Sequence, residues 1–285
     1  MKTTPDREAV SLRQPSGKIS AVISDVDGTL VADDKSLPEA NRLVVAKLTE
    51  AGIAFALISS RPPRGMAAVI EALDVPLVLA GFNGGVISTA ENEILEQHLL
   101  QPELARRTVQ SLAGDGVDVW VFSGQEWFVQ NADSPYVALE IRTVGFQPIV
   151  VNDFGAALDT VGKIVGVSQD PALLGRSEVG LRAELSDRAT IVRSQRYYLD
   201  ITHSLANKGA GVRSIAKHLD VPLEEIAVIC DGPNDVAMFE AGGLSIAMGN
   251  AEPAVQRAAN FVTGANNAAG FARAMERFIL AERGA

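Results

Sequence analysis

The sequence has a single cysteine and no long apolar run, and each scarcity excludes a class of protein. With Cys230 alone among 285 residues, an internal disulfide is impossible, which fits a reducing compartment and predicts a cytoplasmic protein. No apolar stretch is long enough to span a membrane, and residues 1–17 lack the hydrophobic segment of a signal peptide. We expect residues 1–17 to form a mobile N-terminal tail.

Positive charge is also scarce, because 25 lysines and arginines face 35 acids, giving a net charge of −10 and a pI near 4.9. Nucleic acids and anionic membranes bind positively charged surfaces, so neither is expected as a partner. A small anionic substrate would need a local cationic pocket or a metal ion. The length and the 47% hydrophobic content fit two domains, or one domain with a large insertion. The oligomeric state stays open between monomer and homodimer.

An apolar, β-branched run from Ile19 to Ile23 ends in two acids, Asp25 and Asp27. Such a run is typical of a strand buried on both faces of a parallel sheet, where ligands bind beyond the carboxyl ends. Two like charges this close imply a cation beside them. One acid can attack phosphorus while the second, with a raised pKa, protonates the departing oxygen and later takes a proton from water. The same spacing also occurs on solvated loops and in metal sites of glycosyltransferases.

Further apolar runs at 53–58, 76–80, 226–230, 244–248 and 261–263 alternate with helical patterns. This alternation predicts an α/β fold with a doubly wound parallel sheet. The segment Ser36-Leu37-Pro38-Glu39 has the form of a capping box, which predicts the start of the first helix. A terminal helix is expected over residues 271–282.

The pattern changes between residues 98 and 199, which predicts an inserted α+β domain. A hairpin is expected from strands at 117–122 and 127–130, with Trp120 and Trp127 in the core of the insert. Further strands are expected at 163–167 and 189–193, and helices at 102–113 and 171–185. The predicted division is therefore core residues 18–97, insert 98–199 and core residues 200–285.

The polar residues at the strand ends supply the parts that phosphoryl transfer needs. Mg²⁺ prefers oxygen ligands, and Asp25, the carbonyl of Asp27, Asp231 and Asp235 are the expected metal ligands. Lys208 would balance the charge of the nucleophile and the phosphate, and Ser59 would hydrogen-bond a phosphoryl oxygen. Gly28 permits backbone torsions that turn main-chain N–H groups toward a phosphate, and Thr29 adds a hydroxyl donor.

Four motifs in order carry a resemblance to a known family: Asp25-Val26-Asp27-Gly28-Thr29, Ser59-Ser60-Arg61, Asn207-Lys208-Gly209 and Asp231-Gly232-Pro233-Asn234-Asp235. Together with Asn83-Gly84-Gly85 and Met248-Gly249-Asn250-Ala251, they resemble the haloacid dehalogenase superfamily, in its Cof-like sugar-phosphate phosphatase branch with a type IIB cap. Two positions depart from that branch: Ser59-Ser60 stands where Thr-Gly is common, and Cys230 where glycine is usual.

The resemblance implies a Rossmann-like core, an inserted cap, Mg²⁺ dependence and an aspartyl-phosphate on Asp25, with Asp27 acting first as acid and then as base. The other polar residues of the motifs are expected to contact substrate or phosphate, namely Ser60, Arg61, Asn83 and Asn234. The expected activity is hydrolysis of small phosphorylated metabolites, sugar phosphates among them. A phosphomutase or phosphotransferase and a non-catalytic metabolite-binding protein remain alternatives, whereas a receiver-type signalling module disagrees with the Asp-x-Asp spacing.

Overall fold

The computed structural model describes residues 17–281. Residues 1–16 of the expected N-terminal tail, and residue 282 of the expected terminal helix, lie outside the described residues. Among residues 17–281, no helix combines the length and the apolar character needed to cross a membrane.

The strands, in chain order, are β1 (Ala21–Asp25), β2 (Ala54–Ile58), β3 (Leu77–Gly81), β4 (Val86–Thr89), β5 (Ile94–Gln97), β6 (Asp118–Ser123), β7 (Glu126–Val129), β8 (Ile149–Val150), β9 (Val161–Val167), β10 (Ala189–Gln195), β11 (Tyr198–His203), β12 (Ile226–Cys230), β13 (Leu244–Ala247) and β14 (Phe261–Val262). The α-helices are α1 (Glu39–Glu50), α2 (Ala67–Leu73), α3 (Pro102–Gly114), α4 (Val137–Val144), α5 (Pro171–Leu185), α6 (Lys208–Leu219), α7 (Val236–Ala241), α8 (Pro253–Ala258) and α9 (Gly270–Ala274). A π-helical turn, Met275–Leu280, continues α9.

The larger sheet has the order β14-β13-β12-β1-β2-β3-β4-β5 within the described residues, and β14 to β3 are parallel. Both faces are covered: Val22 of β1 packs in a cluster with residues of α1 and α9, and Ile23 packs in another with residues of α6 and α7. Because neighbouring side chains of a strand point to opposite faces, a strand between two helical layers is apolar throughout. The predicted doubly wound α/β core is confirmed.

The smaller sheet has the order β10-β11-β9-β6-β7-β8 over the described part of the chain. Helices α3 and α5 cover one face, and Trp120, Trp127 and residues of α4 form an apolar cluster on the other. We call residues 100–203, which carry this sheet and its helices, the cap. The predicted hairpin is confirmed as β6 and β7, with both tryptophans buried. The expected domain boundary at residue 199 falls inside β11, which pairs with β9.

Two local predictions fail for identifiable reasons. The capping box at Ser36 is wrong, because the Ser36 hydroxyl and N–H both donate to Asp34, and α1 starts at Glu39 behind Pro38 with no side-chain cap. The sequence patterns also missed the helices α4 and α8, the two-residue strand β8, and the strands β4, β5 and β11. These short strands mix polar with apolar residues, so their runs of apolar residues are too short to indicate a strand.

Candidate active site

The carboxyl ends of three neighbouring strands bring the predicted acids together. Strands β12, β1 and β2 are parallel, and Asp25 at the end of β1 lies opposite Ile58 of β2. Ser59 follows β2 directly and Asp231 follows β12 directly, so both lie at the edge where Asp25 ends its strand. The register of these three strands therefore brings the motifs together at one edge of the sheet, as predicted.

Helix α6 carries Lys208 to this edge as its first residue. Its N-terminus is capped by Asn207, whose side-chain oxygen accepts a hydrogen bond from the Ala210 N–H at 2.9 Å. The helix packs closely on the sheet because Gly211 has no side chain: a Cβ there would lie 2.6 Å from Ile58. The sequence Asn207-Lys208 thus fixes both the start of the helix and the direction of approach of the lysine.

Lys208 joins two buried carboxylates. Its Nζ lies 2.5 Å from Asp25 Oδ1 and 2.5 Å from Asp235 Oδ1. Burial raises the pKa of Asp25 well above its usual value, and the positive charge of Lys208 only partly offsets this. Burial lowers the pKa of Lys208, but the charges of Asp235 and Asp25 outweigh it and the net pKa is raised. The lysine is therefore a permanent cation beside the carboxylate predicted to be the nucleophile.

Asp25, Asp231 and Asp235 form a group that could hold a metal ion, since one oxygen from each lies within 4.8 Å of the others. Burial, with the charge of Asp235, raises the pKa of Asp231 to about 6. A cation between three carboxylates this close lowers their mutual repulsion, and Mg²⁺ prefers such hard oxygen donors. The donor set therefore fits the expected ion, whose binding remains a prediction.

Asp231 is held by the first motif rather than left free. The Thr29 hydroxyl donates to Asp231 Oδ1 at 3.1 Å, and the side-chain amide of Asn250 donates to Oδ2 at 3.2 Å. Gly28 adopts a φ of +78°, and a Cβ there would lie only 2.3 Å from Asp231 Oδ2. Gly28 and Thr29 are thus placed against the metal-ligand candidate, and neither lines the cavity, although both were predicted to contact phosphate.

Asp27 is bound by two cations. Its carboxylate accepts hydrogen bonds from Arg61 Nε at 2.7 Å, from Arg61 Nη2 at 2.6 Å and from Lys35 Nζ at 2.7 Å. Burial raises the pKa of Asp27, but Arg61 and Lys35 outweigh it and lower the pKa to about 2. The predicted raised pKa of this second acid is therefore wrong, because charge pairing exceeds desolvation here. Among residues 17–281, its carboxylate is not in the group that could hold a metal, and the expected ligand, the main-chain carbonyl of Asp27, stays a prediction.

A cavity of about 400 Å³ opens over these acids. Ser59, Ser60, Arg61 and Asn234 line it, as predicted, together with Lys208 and the four acids of the motifs. Asn83 does not line it; its N–H donates to the Ser59 carbonyl at 2.8 Å, with the backbone at a φ of +59°. Asn83 therefore hydrogen-bonds to the backbone of the second motif and lies outside the cavity lining. The volume is within the range of pockets for small molecules.

The other half of the cavity comes from the cap, and its polar residues were missed from sequence. Glu140 of α4, Lys163 of β9 and Tyr198 of β11 line it, and Lys35 was missed on the core side. Lys163 did carry a signal, because it is the lone charge in the otherwise apolar strand Val161–Val167. Glu140 shares the buried face of α4 with Val137 and Val144, which is unusual for a carboxylate.

Comparison with known proteins agrees with this geometry. The sequence matches the haloacid dehalogenase-like hydrolase family over residues 22–275. A putative phosphatase of Haemophilus influenzae is 28% identical over 257 residues, covering 90% of this chain and 97% of that protein.

Two solved structures have a similar fold. A haloacid dehalogenase-like hydrolase from Bacteroides thetaiotaomicron superposes with a TM-score of 0.84 at 28% identity, over 92% of this chain and 100% of its own. A HAD subclass IIB sugar phosphatase has a TM-score of 0.78 at 21% identity, over 91% and 98% of the two chains, which shows the shared fold. With a family match that spans most of its length, the chain belongs to the haloacid dehalogenase-like hydrolases, as its four motifs predict.

Proposed function

We propose that this enzyme is a Mg²⁺-dependent phosphomonoesterase that acts on small phosphorylated metabolites, sugar phosphates among them, through an aspartyl-phosphate on Asp25. The observation that carries the proposal is the pairing of buried Asp25 with Lys208 at 2.5 Å, inside a group of three carboxylates. Lys208 lowers the pKa of Asp25 against the larger effect of burial, and so favours the ionised carboxylate, which is the form that can attack phosphorus.

The charges that line the cavity support a requirement for a divalent cation. Six acids and four basic residues line it, so the site is anionic before any substrate enters. A phosphate ester carries up to two negative charges, and its binding beside Asp25 would be opposed without a counter-ion. Bound Mg²⁺ would supply that charge and polarise the phosphoryl oxygens, and Asp25, Asp231 and Asp235 are the residues that would hold it.

The proposed reaction has two steps on the chain's own groups. In the first, a carboxylate oxygen of Asp25 bonds to phosphorus, the ester P–O bond breaks and the leaving oxygen takes a proton from Asp27. In the second, water attacks the same phosphorus, its proton passes to Asp27, and the bond to Asp25 breaks to release inorganic phosphate. Because Asp27 is an anion at rest, with a pKa of about 2, it must take up a proton before it can deliver one.

Ser59 and Ser60 are placed to bind the phosphoryl group. Both line the cavity, and the Ser59 side-chain oxygen is oriented by the Arg61 N–H at 3.1 Å. That contact uses an acceptor lone pair and leaves the hydroxyl proton for a phosphoryl oxygen. We also propose a cytoplasmic location, supported by Cys230, which is buried and free.

Phosphate release from a panel of sugar, polyol, nucleotide and cofactor phosphates tests the proposal. Wild-type protein should release phosphate with Mg²⁺ and not with excess chelator, and Asp25→Asn should abolish release in a protein that still unfolds cooperatively in urea. Asp74→Asn, the same change at an exposed position, is the matched control and should leave release unchanged. Release by Asp25→Asn at the wild-type rate would overturn the assignment of the nucleophile. Transfer of phosphate between sugars without net release would point to a mutase.

A further inference from the structure

The cap contributes a buried polar cluster to the cavity, across from the predicted nucleophile. Lys163 of β9 has 5% of its surface exposed and reaches from the cap to the core, where its Nζ donates to the Ser60 carbonyl at 3.0 Å. The same Nζ lies 3.5 Å from Asp200 Oδ2, and Asp200 is 2% exposed. Lys163 is thus paired with a carboxylate of the cap and hydrogen-bonded to the second motif.

Glu140 brings a further acid into this half of the cavity. It is 8% exposed, it lines the cavity, and its Oε2 accepts a hydrogen bond from the Tyr198 hydroxyl at 3.3 Å. No lysine or arginine of the described residues forms an ion pair with it, in contrast to Asp200. Burial raises the pKa of Glu140, and the charge of Lys163 acts in the opposite direction. The cap half therefore offers a carboxyl group that a substrate would meet directly.

Every basic residue that lines the cavity already has a carboxylate partner in the described structure. Lys35 and Arg61 bind Asp27, Lys208 binds Asp25 and Asp235, and Lys163 binds Asp200. A Mg²⁺ ion among the core acids would offset the charge of one phosphoryl group. A second anionic group on the substrate would find no unpaired cation, and in the cap half it would meet Glu140.

We propose that Glu140 determines specificity by admitting phosphomonoesters whose remaining part is uncharged and hydroxylated, and by rejecting those with a second phosphate or carboxylate. The inference rests on the proposed phosphatase function. A hydroxyl group can donate to Glu140 and accept from Lys163, whereas an anion can only accept. Like charges brought together in a desolvated site oppose binding, which is how a site excludes the wrong ligand.

Two substrates with the same sugar test this, glucose 6-phosphate and glucose 1,6-bisphosphate. Wild-type kcat/KM should favour the monophosphate by at least about tenfold, and Glu140→Gln should remove most of that preference, chiefly by raising kcat/KM for the bisphosphate. Tyr198→Phe deletes the hydrogen bond to Glu140 but keeps the charge, so it should retain the preference. Glu184→Gln removes a cap carboxylate that pairs with Arg107 outside the cavity, and should also retain it.

An equal kcat/KM for the two substrates in wild type, or an unchanged preference in Glu140→Gln, would overturn the inference while leaving phosphatase activity in place. If wild type hydrolyses neither substrate, the panel of phosphate esters decides whether the proposed function fails, and binding tests the inference by itself. Calorimetric titration of both ligands into Asp25→Asn with Mg²⁺ should show tighter binding of the monophosphate, and Asp25→Asn/Glu140→Gln should lose that difference. Equal binding of the two ligands by Asp25→Asn would refute the role of Glu140.

Discussion

Replacing Gly28 with alanine tests whether the first motif positions Asp231. The new Cβ would lie 2.3 Å from Asp231 Oδ2 and 2.7 Å from Asp231 Cγ, well inside van der Waals contact. Relief of that overlap requires the carboxylate or the loop to move by about 1 Å, and a misplacement of this size typically lowers catalysis by about 100-fold. The positive φ of +78° adds about 1–2 kcal/mol of backbone strain for any residue with a side chain.

Gly52 provides the matched control, because its φ is +72° and a Cβ there would meet no atom within 4 Å. Gly28→Ala and Gly52→Ala should both lower the free energy of urea unfolding, each by at least about 1–2 kcal/mol. Only Gly28→Ala should lower kcat/KM for phosphate release, by about 100-fold. It should also raise the Mg²⁺ concentration that gives half of the maximal rate. Wild-type kcat/KM and Mg²⁺ dependence in Gly28→Ala would refute the positioning of Asp231 by this loop.

Three further changes probe the charges of the site. Mg²⁺ affinity measured by calorimetry should fall about tenfold at about pH 5 relative to neutral pH, because Asp231, with a pKa of about 6, must lose its proton to bind a metal; unchanged affinity would contradict this. Lys208→Met should lower the free energy of urea unfolding by about 3–5 kcal/mol by leaving buried carboxylates without a counter-charge, and Mg²⁺ should restore part of the loss. A Lys208→Met protein as stable as wild type would exclude that pairing as a source of stability. Arg61→Gln should raise the pKa of Asp27 from about 2, so Asp27 keeps the proton that the first step needs up to a higher pH and the alkaline limb of the kcat/KM profile should move to higher pH; Lys35→Gln should move it less, and an unmoved limb would remove Asp27 as the acid.

The core and its acids were predictable because they depend on local patterns. Strands β1 and β12 are apolar on both faces, so the runs that end at Asp25 and Asp231 stand out, and the register of a parallel sheet brings such ends together. Lys208 was predictable from its place in the ordered motifs, and the structure adds that Asn207 caps α6 and fixes where the helix begins. These elements combine strong local signals with a topology that leaves few alternatives.

The protonation of Asp27 was not predictable, because it depends on contacts distant in sequence or made by a loop. Arg61 lies just after the end of the neighbouring strand β2. Lys35 reaches Asp27 from a turn in which the φ of Lys35 is +70°. Spacing within the first motif shows that two acids are close, and it predicts that one pKa rises. The structure places the raised pKa values on Asp25 and Asp231 instead.

The cap was the least predictable part of the site. Glu140 and Tyr198 are 58 residues apart and meet only when α4 packs on the sheet beside β11. Lys163 contacts the core through a backbone carbonyl, that of Ser60, which any residue would provide. A lone charge in a buried strand and a carboxylate on the apolar face of a helix were the available signals, and neither identifies its partner.

Direct detection of the phosphorylated residue tests whether Asp25 is the nucleophile. Wild-type protein would be mixed with Mg²⁺ and a hydrolysed phosphomonoester, quenched in acid within one turnover, and digested for peptide mass spectrometry. We expect a phosphoryl group on the peptide that carries Asp25, present with substrate and Mg²⁺ and absent from Asp25→Asn. A phosphoryl group on another residue, or rapid turnover with no labelled peptide at any quench time, would contradict it.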